Sequence, residues 1–286
     1  GEYDVFDNLE VLGEDFIWQM YRNSPPLIWR TAFMNERLFR IENCFYSALD
    51  DDIHFYTPGD NGRLRDLGSN WSKLTTCGCL GDGDLNFSKE LHLAFDSNAS
   101  ISTAVVGQLD DHTMRVLKSF YVKTPGKLQD LVKMIADYYR PKLNRDVVIY
   151  YDHTFTWESG SSTETYADII ERVFKENGYH VTMVYVGQAP KHEWKHLNID
   201  LTLKGDPQFL WIQINLHQNE FQTGVKQGKN GFEKDKTPEG TPDTPDNPDE
   251  YKTHITDAFD TLWLGMNFYF TLPGTRAGGI FFLNNK

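Results

Sequence analysis

The chain has 286 residues, of which 40% are hydrophobic and 14% aromatic, so it can bury a substantial core and is not intrinsically disordered. Its 28 Lys and Arg residues against 41 Asp and Glu residues give a net charge of −13. This balance excludes a protein that coats nucleic acid or an anionic membrane over its whole surface. It still allows a small basic groove beside an acidic, metal-binding site.

The features that report on location point to the cytoplasm. The first ten residues are acidic and lack the basic flank and apolar run of a signal peptide. The most apolar stretch, residues 262–272, is too short to span a bilayer. Cys77 and Cys79 are poorly spaced for an internal disulfide. We therefore expect a cytoplasmic protein with reduced thiols and no membrane contact.

The N-terminal part of the chain differs in pattern from the rest. Apolar residues at helical spacing predict helices over 15–21 and 27–39. A run rich in Gly and Asp that ends at residues 81–84 is typical of a connector. We therefore predict a partly helical extension over 1–88 and a folded domain over 89–286.

From residue 89 the elements are short and regularly spaced. Alternating apolar residues and turn pairs predict an antiparallel meander of three strands, after which helices and strands alternate. The first helix starts near Leu128 and ends before Pro141, and the second is opened by the capping box Ser161-x-x-Glu164 and closed by Gly178. The predicted strands span residues 91–96, 101–109, 114–122, 147–152 and 180–186.

The later part of the chain is less regular. Residues 210–216 are predicted to form another strand, and the acidic, proline-rich residues 237–250 a loop. Thr253 is predicted to N-cap a last helix that runs to about Phe268. The order of elements implies an α/β fold in which a mixed sheet, a three-strand meander plus parallel strands, is flanked by helices.

Three carboxylates occupy positions where such a sheet forms its ligand sites. Asp96 ends the first strand, Asp152 ends the fourth, and Asp257 lies in the first turns of the last helix. Together they would offer the hard oxygen ligands that suit Mg²⁺ or Mn²⁺. Two such ions, about 3.5–4 Å apart, activate water and stabilise the leaving oxygen in phosphodiester cleavage. The alternative is that each acid is a turn former or a helix-capping residue.

Several segments resemble one known family. The acids in LHLAFD (91–96), VVIYYD (147–152) and THITDAFD (253–260) are similar to the acidic triad of ribonuclease H-like nucleases. Together with GFEKDK (231–236) and the stretch 29–46, they resemble the C-terminal nuclease domain of the phage terminase large subunit. The resemblance covers roughly residues 29–269 and implies a ribonuclease H-like fold.

The resemblance also implies roles for individual residues. Asp96 would bridge two metal ions, and Asp152 and Asp257 would each complete one site. Asp260, one turn beyond Asp257, is a candidate fourth metal ligand. His254 is a candidate for orienting a ligand or water, the alternative being a neutral, hydrogen-bonded histidine.

Basic residues gather before and at the start of the last helix. They could contact DNA phosphates and set the duplex in register, the alternative being ordinary surface lysines. The candidate DNA-binding residues are Lys226, Lys229, Lys234, Lys236 and Lys252.

The implied function is a metal-dependent endonuclease that cleaves double-stranded DNA, namely concatemeric phage genomes during packaging. Residues 124–128 are the segment most similar to the phosphate-binding loop of an ATPase. They lack the upstream glycine and the Ser or Thr of that motif. We therefore expect the nuclease half without ATPase activity. A terminase ATPase domain, a small terminase subunit and a portal are its candidate partners, and the bacterial host cytoplasm is its expected location, for a phage or prophage product.

Two other functions remain open from the sequence. A Holliday-junction resolvase or a transposase-like nuclease would have the same fold and would prefer branched DNA. A catalytically idle docking domain of a packaging motor would bind no metal.

Overall fold

The structure, a computed structural model, divides the chain into two compact units, Gly1–Glu42 and Asn43–Lys286. It describes residues 9–23, 45–56, 78–158, 163–215 and 250–269. The first unit contains helices α1 (Leu9–Leu12) and α2 (Glu14–Asn23). The helix predicted over 15–21 lies within α2, whose acidic first turn suits the positive end of the helix dipole. The helix predicted over 27–39 lies outside the described residues.

The second unit is built from a sheet and the helices around it. Its described strands are β1 (Phe55–Tyr56), β2 (Leu91–Ser97), β3 (Ile101–Asp110), β4 (Thr113–Lys123), β5 (Asp146–Tyr151), β6 (His180–Tyr185) and β7 (Trp211–Asn215). Its described α-helices are α3 (Asp51–His54), α4 (Leu128–Tyr138), α5 (Tyr166–Glu176), α6 (His192–Leu203) and α7 (Glu250–Leu264). None of the helices in the described ranges is both long and apolar enough to cross a membrane.

The strands form one mixed sheet in the order β1-β7-β4-β3-β2-β5-β6. The consecutive strands β2, β3 and β4 pair antiparallel through tight turns and form the predicted meander. On one side β5 and then β6 add in parallel to β2, and on the other β7 and then β1 add in parallel to β4. The α/β fold with a mixed sheet, expected from the sequence, is therefore confirmed.

The two faces of the sheet are covered by different helices. Leu91, Leu93 and Phe95 of β2 pack in one core with the apolar sides of α4 and α5. Ala94 of β2 and Tyr150 of β5 pack in the other core with α6 and α7. Because side chains alternate along a strand, every second residue of β2 and β5 faces α7.

The start of α5 differs from the prediction. The capping box is formed by Thr165 and Asp168: the Thr165 hydroxyl accepts from the Asp168 amide at 3.1 Å, and the Asp168 carboxylate accepts from the Thr165 amide at 3.0 Å. The predicted box of Ser161 and Glu164 is therefore wrong. Ser161 lies outside the described residues, and Glu164 pairs with Arg172 at 2.8 Å.

The last helix also starts earlier than expected. α7 begins at Glu250, so Thr253 lies inside the helix and is buried instead of capping its N-terminus. Apart from Glu250, the loop predicted over 237–250 lies outside the described residues. The helix α6 and the short strand β1 were not predicted.

The end of α7 packs closely against β5. The helix continues as a π-turn over Gly265–Tyr269, and a Cβ atom on Gly265 would lie 2.2 Å from ring carbons of Tyr150. We predict that Gly265→Ala lowers the free energy of unfolding by about 1–3 kcal/mol, because the core has to move to admit the methyl group. Chemical denaturation would measure the loss.

A double-mutant cycle tests the cause of that loss. In a Tyr150→Ala background the ring is absent, so Gly265→Ala should cost much less. An equal loss in both backgrounds would mean that the contact with the Tyr150 ring is not what requires glycine.

Candidate functional site

Asp96 lies near the end of β2, on the face that α7 covers. It follows Ala94 by two residues, and its side chain is 29% exposed. In the parallel pair of β2 and β5, Ala94 lies opposite Tyr150. The pairing of the two strands ends there, and Asp96 and Asp152 each come two residues later, at the carboxyl ends of neighbouring parallel strands.

Asp152 directly follows β5 and keeps an extended backbone, with φ −93° and ψ −175°. It caps the 3₁₀ turn His153–Thr156, and its Oδ1 accepts hydrogen bonds from the Thr154 amide at 2.9 Å and the Thr154 hydroxyl at 2.6 Å. Both bonds fall on one carboxylate oxygen. Asp152 therefore has the capping role that the sequence analysis gave as the alternative. Its two hydrogen bonds to Thr154 do not involve Oδ2.

Helix α7 brings a histidine to Asp96. His254 is buried, and its Nδ1 lies 2.5 Å from Oδ2 of Asp96. Its other ring nitrogen, Nε2, lies 3.0 Å from Nδ2 of Asn98, in the turn between β2 and β3. The histidine therefore joins the helix to the strand end through both of its nitrogens.

The turn determines which ring nitrogen of His254 carries the proton. Oδ1 of Asn98 accepts from the amides of Ser100 and Ile101 at 2.8 and 2.9 Å, so the amide nitrogen of Asn98 is the group that faces His254. An amide NH₂ can only donate, and Nε2 of His254 is therefore the acceptor. In the neutral ring the proton is on Nδ1, from which it is donated to Asp96.

Asp257 lies on α7, three residues after His254, and is partly buried. Residues at this spacing are neighbours on one helix surface, so Asp257 lies next to His254, the residue that contacts Asp96. Its negative charge also contributes to raising the pKa of the buried Tyr46 hydroxyl, behind burial itself and the effect of Asp260.

Asp260 occupies a different environment from the other three acids. It is 1% exposed, and its Oδ1 accepts from the hydroxyl of Tyr46 at 2.6 Å. Its Oδ2 forms an ion pair with Nζ of Lys195 on α6 at 2.9 Å. Asp260 is thus bound in the core between two other segments of the second unit.

The carboxylates suit a hard divalent cation by the type of donor they offer. The described residues, however, include no group of three or more His, Cys, Asp or Glu side chains close enough to hold a metal ion. Asp96 contacts His254, and Asp152 bonds to Thr154. Asp96 and Asp152 thus come at the ends of two adjacent strands, and the described residues form no coordination group there.

The basic residues expected to bind DNA fall mostly outside the described residues. Of the five, four lie in the range 216–249, and the side chain of Lys252 on α7 is not described. A basic residue that the sequence analysis missed, Lys123, ends β4 opposite Ile101, beside the turn that holds His254. The next residue, Thr124, donates its amide to the carbonyl of Ser100 at 2.9 Å and so ties the end of β4 to that turn.

Three other contributors to the site were also missed. Asn98 was read only as a turn residue, and an Asx turn at the end of a strand that carries a candidate ligand is a signal that could have found it. Tyr46 and Lys195 are far from Asp260 in sequence, and nothing in their local patterns indicates that they meet it.

The meander extended by parallel strands, with helices on both faces, defines a ribonuclease H-like fold, as the sequence predicted. No protein-family model and no curated protein sequence matches the chain.

Among solved structures, the chain is similar to the large terminase of a thermophilic bacteriophage, with 12% identity and a TM-score of 0.40. The match covers 91% of this chain and 54% of that one, so the chain spans about half the length of the phage protein. It is also similar to the human cytomegalovirus terminase nuclease domain from an Mn-soaked crystal, with 10% identity, a TM-score of 0.32, and coverage of 45% and 63%.

A further similar structure is Thermus thermophilus RuvC in complex with a Holliday junction, with 12% identity, a TM-score of 0.30, and coverage of 63% and 94%. Two of these three structures carry the name terminase, the family that the sequence resembles.

The contacts of His254 predict its tautomer. In ¹⁵N-detected NMR of the histidine rings, we expect Nδ1 of His254 to give a protonated signal and Nε2 an unprotonated one. Asn98→Ala should weaken this preference, because it removes the donor to Nε2. Protonation of Nε2 alone in the wild-type protein would contradict the arrangement of hydrogen bonds.

Proposed function

We propose that the chain is a divalent-metal-dependent endonuclease that cleaves double-stranded DNA, and that it serves as the nuclease part of a phage DNA-packaging terminase. One observation carries the proposal. Asp96 near the end of β2 and Asp152 directly after β5 follow two strands that pair in parallel, and α7 contacts Asp96 through His254, with Asp257 one turn further along. This is the order of acids on which the sequence resemblance rests.

Asp96, Asp152 and Asp257 would hold the metal, either Mg²⁺ or Mn²⁺ and as two ions. Bound metal would activate water and stabilise the leaving oxygen of the phosphodiester. The protein itself contributes the orientation of these ligands. His254 donates to one oxygen of Asp96, and Thr154 bonds to one oxygen of Asp152, so the orientation of each carboxylate is restrained by a neighbouring side chain.

Binding of DNA to a chain with a net charge of −13 needs local positive charge. Lys123 supplies one such charge at the edge of the sheet where Asp96 lies. The lysines at 226, 229, 234, 236 and 252 remain proposed contacts to the DNA backbone. Because phosphate contacts carry no sequence information, we expect weak sequence preference.

The packaging context is part of the same proposal. The ATPase activity would reside outside this chain. Residues 124–128, the segment most similar to a phosphate-binding loop, lack its upstream glycine and its hydroxyl residue. The small terminase subunit and the portal would be the other partners, acting in the cytoplasm of the bacterial host.

The triad can be tested with supercoiled plasmid in Mn²⁺, Mg²⁺ and EDTA. We predict metal-dependent nicking and linearisation, reduced by at least about 100-fold in Asp96→Asn, Asp152→Asn and Asp257→Asn, since ligands should matter more than the residues that orient them. Asp96→Ala should lower the melting temperature, because it removes the acceptor of the hydrogen bond from the buried His254. Asp96→Asn keeps a side-chain oxygen at this position, so loss of cleavage in a folded Asp96→Asn variant would separate the role in the site from the role in stability.

Asp146→Asn is the matched control, because Asp146 lies at the opposite end of β5 and is exposed. It should cleave like the wild type. Preference for a four-way junction over linear DNA would favour the resolvase alternative. Absence of both cleavage and Mn²⁺ binding in the folded chain would favour the docking domain.

A second prediction concerns the affinity for DNA. We expect Lys123→Ala to weaken DNA binding and to reduce the slope of log K against log salt by about 1, because one phosphate contact is lost. Fluorescence anisotropy in Ca²⁺ at several salt concentrations would measure both. The control is Lys133→Ala, an exposed lysine on α4 across the sheet, and an equal change in the two variants would exclude a specific role for Lys123.

A further inference from the structure

A buried polar network contacts α7 next to the turn that carries Asp257. Its members come from three parts of the second unit: Tyr46 precedes α3, Lys195 belongs to α6, and Asp260 belongs to α7. The carboxylate of Asp260 accepts from the Tyr46 hydroxyl at 2.6 Å and pairs with the Lys195 ammonium at 2.9 Å. Asp260 and Tyr46 are each 1% exposed and Lys195 is 7% exposed, so the charges are compensated inside the core.

The contacts of Asp260 argue against a role as the fourth metal ligand. Its Oδ1 accepts a hydrogen bond from the Tyr46 hydroxyl, and its Oδ2 forms an ion pair with the Lys195 ammonium. An ammonium at 2.9 Å would repel a divalent ion bound to the same carboxylate. Asp96, whose side chain is 29% exposed, is open to solvent in a way that Asp260, at 1%, is not.

Tyr46 holds the same stretch of α7 by further contacts. Its hydroxyl lies 3.4 Å from the carbonyl oxygen of Thr256, and its ring packs edge-on against Phe259 at 5.8 Å. Burial, followed by the negative charge of Asp260, raises the pKa of the Tyr46 hydroxyl, so that it stays a hydrogen-bond donor. These contacts reach the residues before and after Asp257.

We propose that Tyr46, Lys195 and Asp260 are positioning residues. They hold the turn of α7 that carries Asp257 at the edge of the sheet where Asp96 lies. The inference rests on the proposed function only in that Asp257 is taken as a metal ligand. It gives Asp260 a role different from the fourth ligand expected from the sequence. Orienting partners of this kind typically change metal affinity or activity by about 10–100-fold.

The experiment compares Tyr46→Phe with Tyr179→Phe in the whole chain. Tyr179 is a matched control, because it is also buried and donates its hydroxyl to a carbonyl, that of Ala136, at 2.8 Å in the core on the other face of the sheet. We expect Tyr46→Phe to weaken Mn²⁺ binding, measured by calorimetry without DNA, by about tenfold. The control should bind as the wild type does.

A second readout does not depend on metal. Hydrogen exchange of the α7 amides around Asp257 should accelerate in Tyr46→Phe and stay unchanged in Tyr179→Phe. If the wild type binds no Mn²⁺ while this difference in exchange is present, the proposed function fails and the positioning of α7 stands. If α7 exchanges alike in both variants, the positioning role is refuted.

Asp260→Asn separates positioning from ligation. We expect it to match Tyr46→Phe in the extent of its effect on Mn²⁺ binding, and the double variant to add little, because the residues act as one unit. Loss of all Mn²⁺ binding in Asp260→Asn, with normal binding in Tyr46→Phe, would identify Asp260 as a ligand and overturn the proposal. Because Asp260→Asn removes a charge that pairs with the buried Lys195 and could unfold the chain, Tyr46→Phe is the primary variant.

Discussion

The packing of α7 across the sheet is the constraint on which the rest of the second unit depends. Ile255, Phe259 and Leu262 are at most 1% exposed and contribute to the core on that face of the sheet. A helix held by this apolar stripe has little freedom to rotate, and its polar residues must therefore be satisfied where they fall. His254 meets Asp96 at the sheet edge, and Asp260 meets Tyr46 and Lys195 in the interior.

The same constraint gives neighbouring acids different chemistry. Asp257 and Asp260 are three residues apart on one helix, yet one is partly buried near the sheet edge and the other is enclosed by a cation and a hydroxyl. Sequence spacing alone assigns them the same role, since it places both on one helix surface. What separates them is the identity of the groups that pack against each position, and those come from residues 65 or more positions away.

The parts of the fold that could be predicted are those with strong local patterns. The meander was recognisable because Leu91, Leu93 and Phe95 alternate along β2 and short polar turns join β2, β3 and β4. Helix α4 was recognisable because its apolar residues recur at helical spacing. By contrast, α6 was missed because its buried residues, among them Lys195 and Thr202, do not form an apolar stripe. The start of α7 was misplaced because Thr253, a good capping residue by type, is buried inside the helix.

The candidate site was predictable to a similar degree and for similar reasons. An acid at the end of a strand is visible in the sequence, and so is its place in the order of elements. The pairing of His254 with Asp96, its support by Asn98 and the enclosure of Asp260 arise only when distant segments pack together. Tertiary contacts of this kind leave no local signal.

The parallel register of β2 and β5 has a consequence for how this chain can vary among relatives. Asp96 and Asp152 each come two residues after the last pair of these strands, which keep one register from Leu91 to Ala94. Inserting or deleting one residue within either strand would send one of the two acids to the opposite face of the sheet. Changes of length should therefore accumulate in the connections, such as the segment between β5 and α5, while the strands keep a constant number of residues.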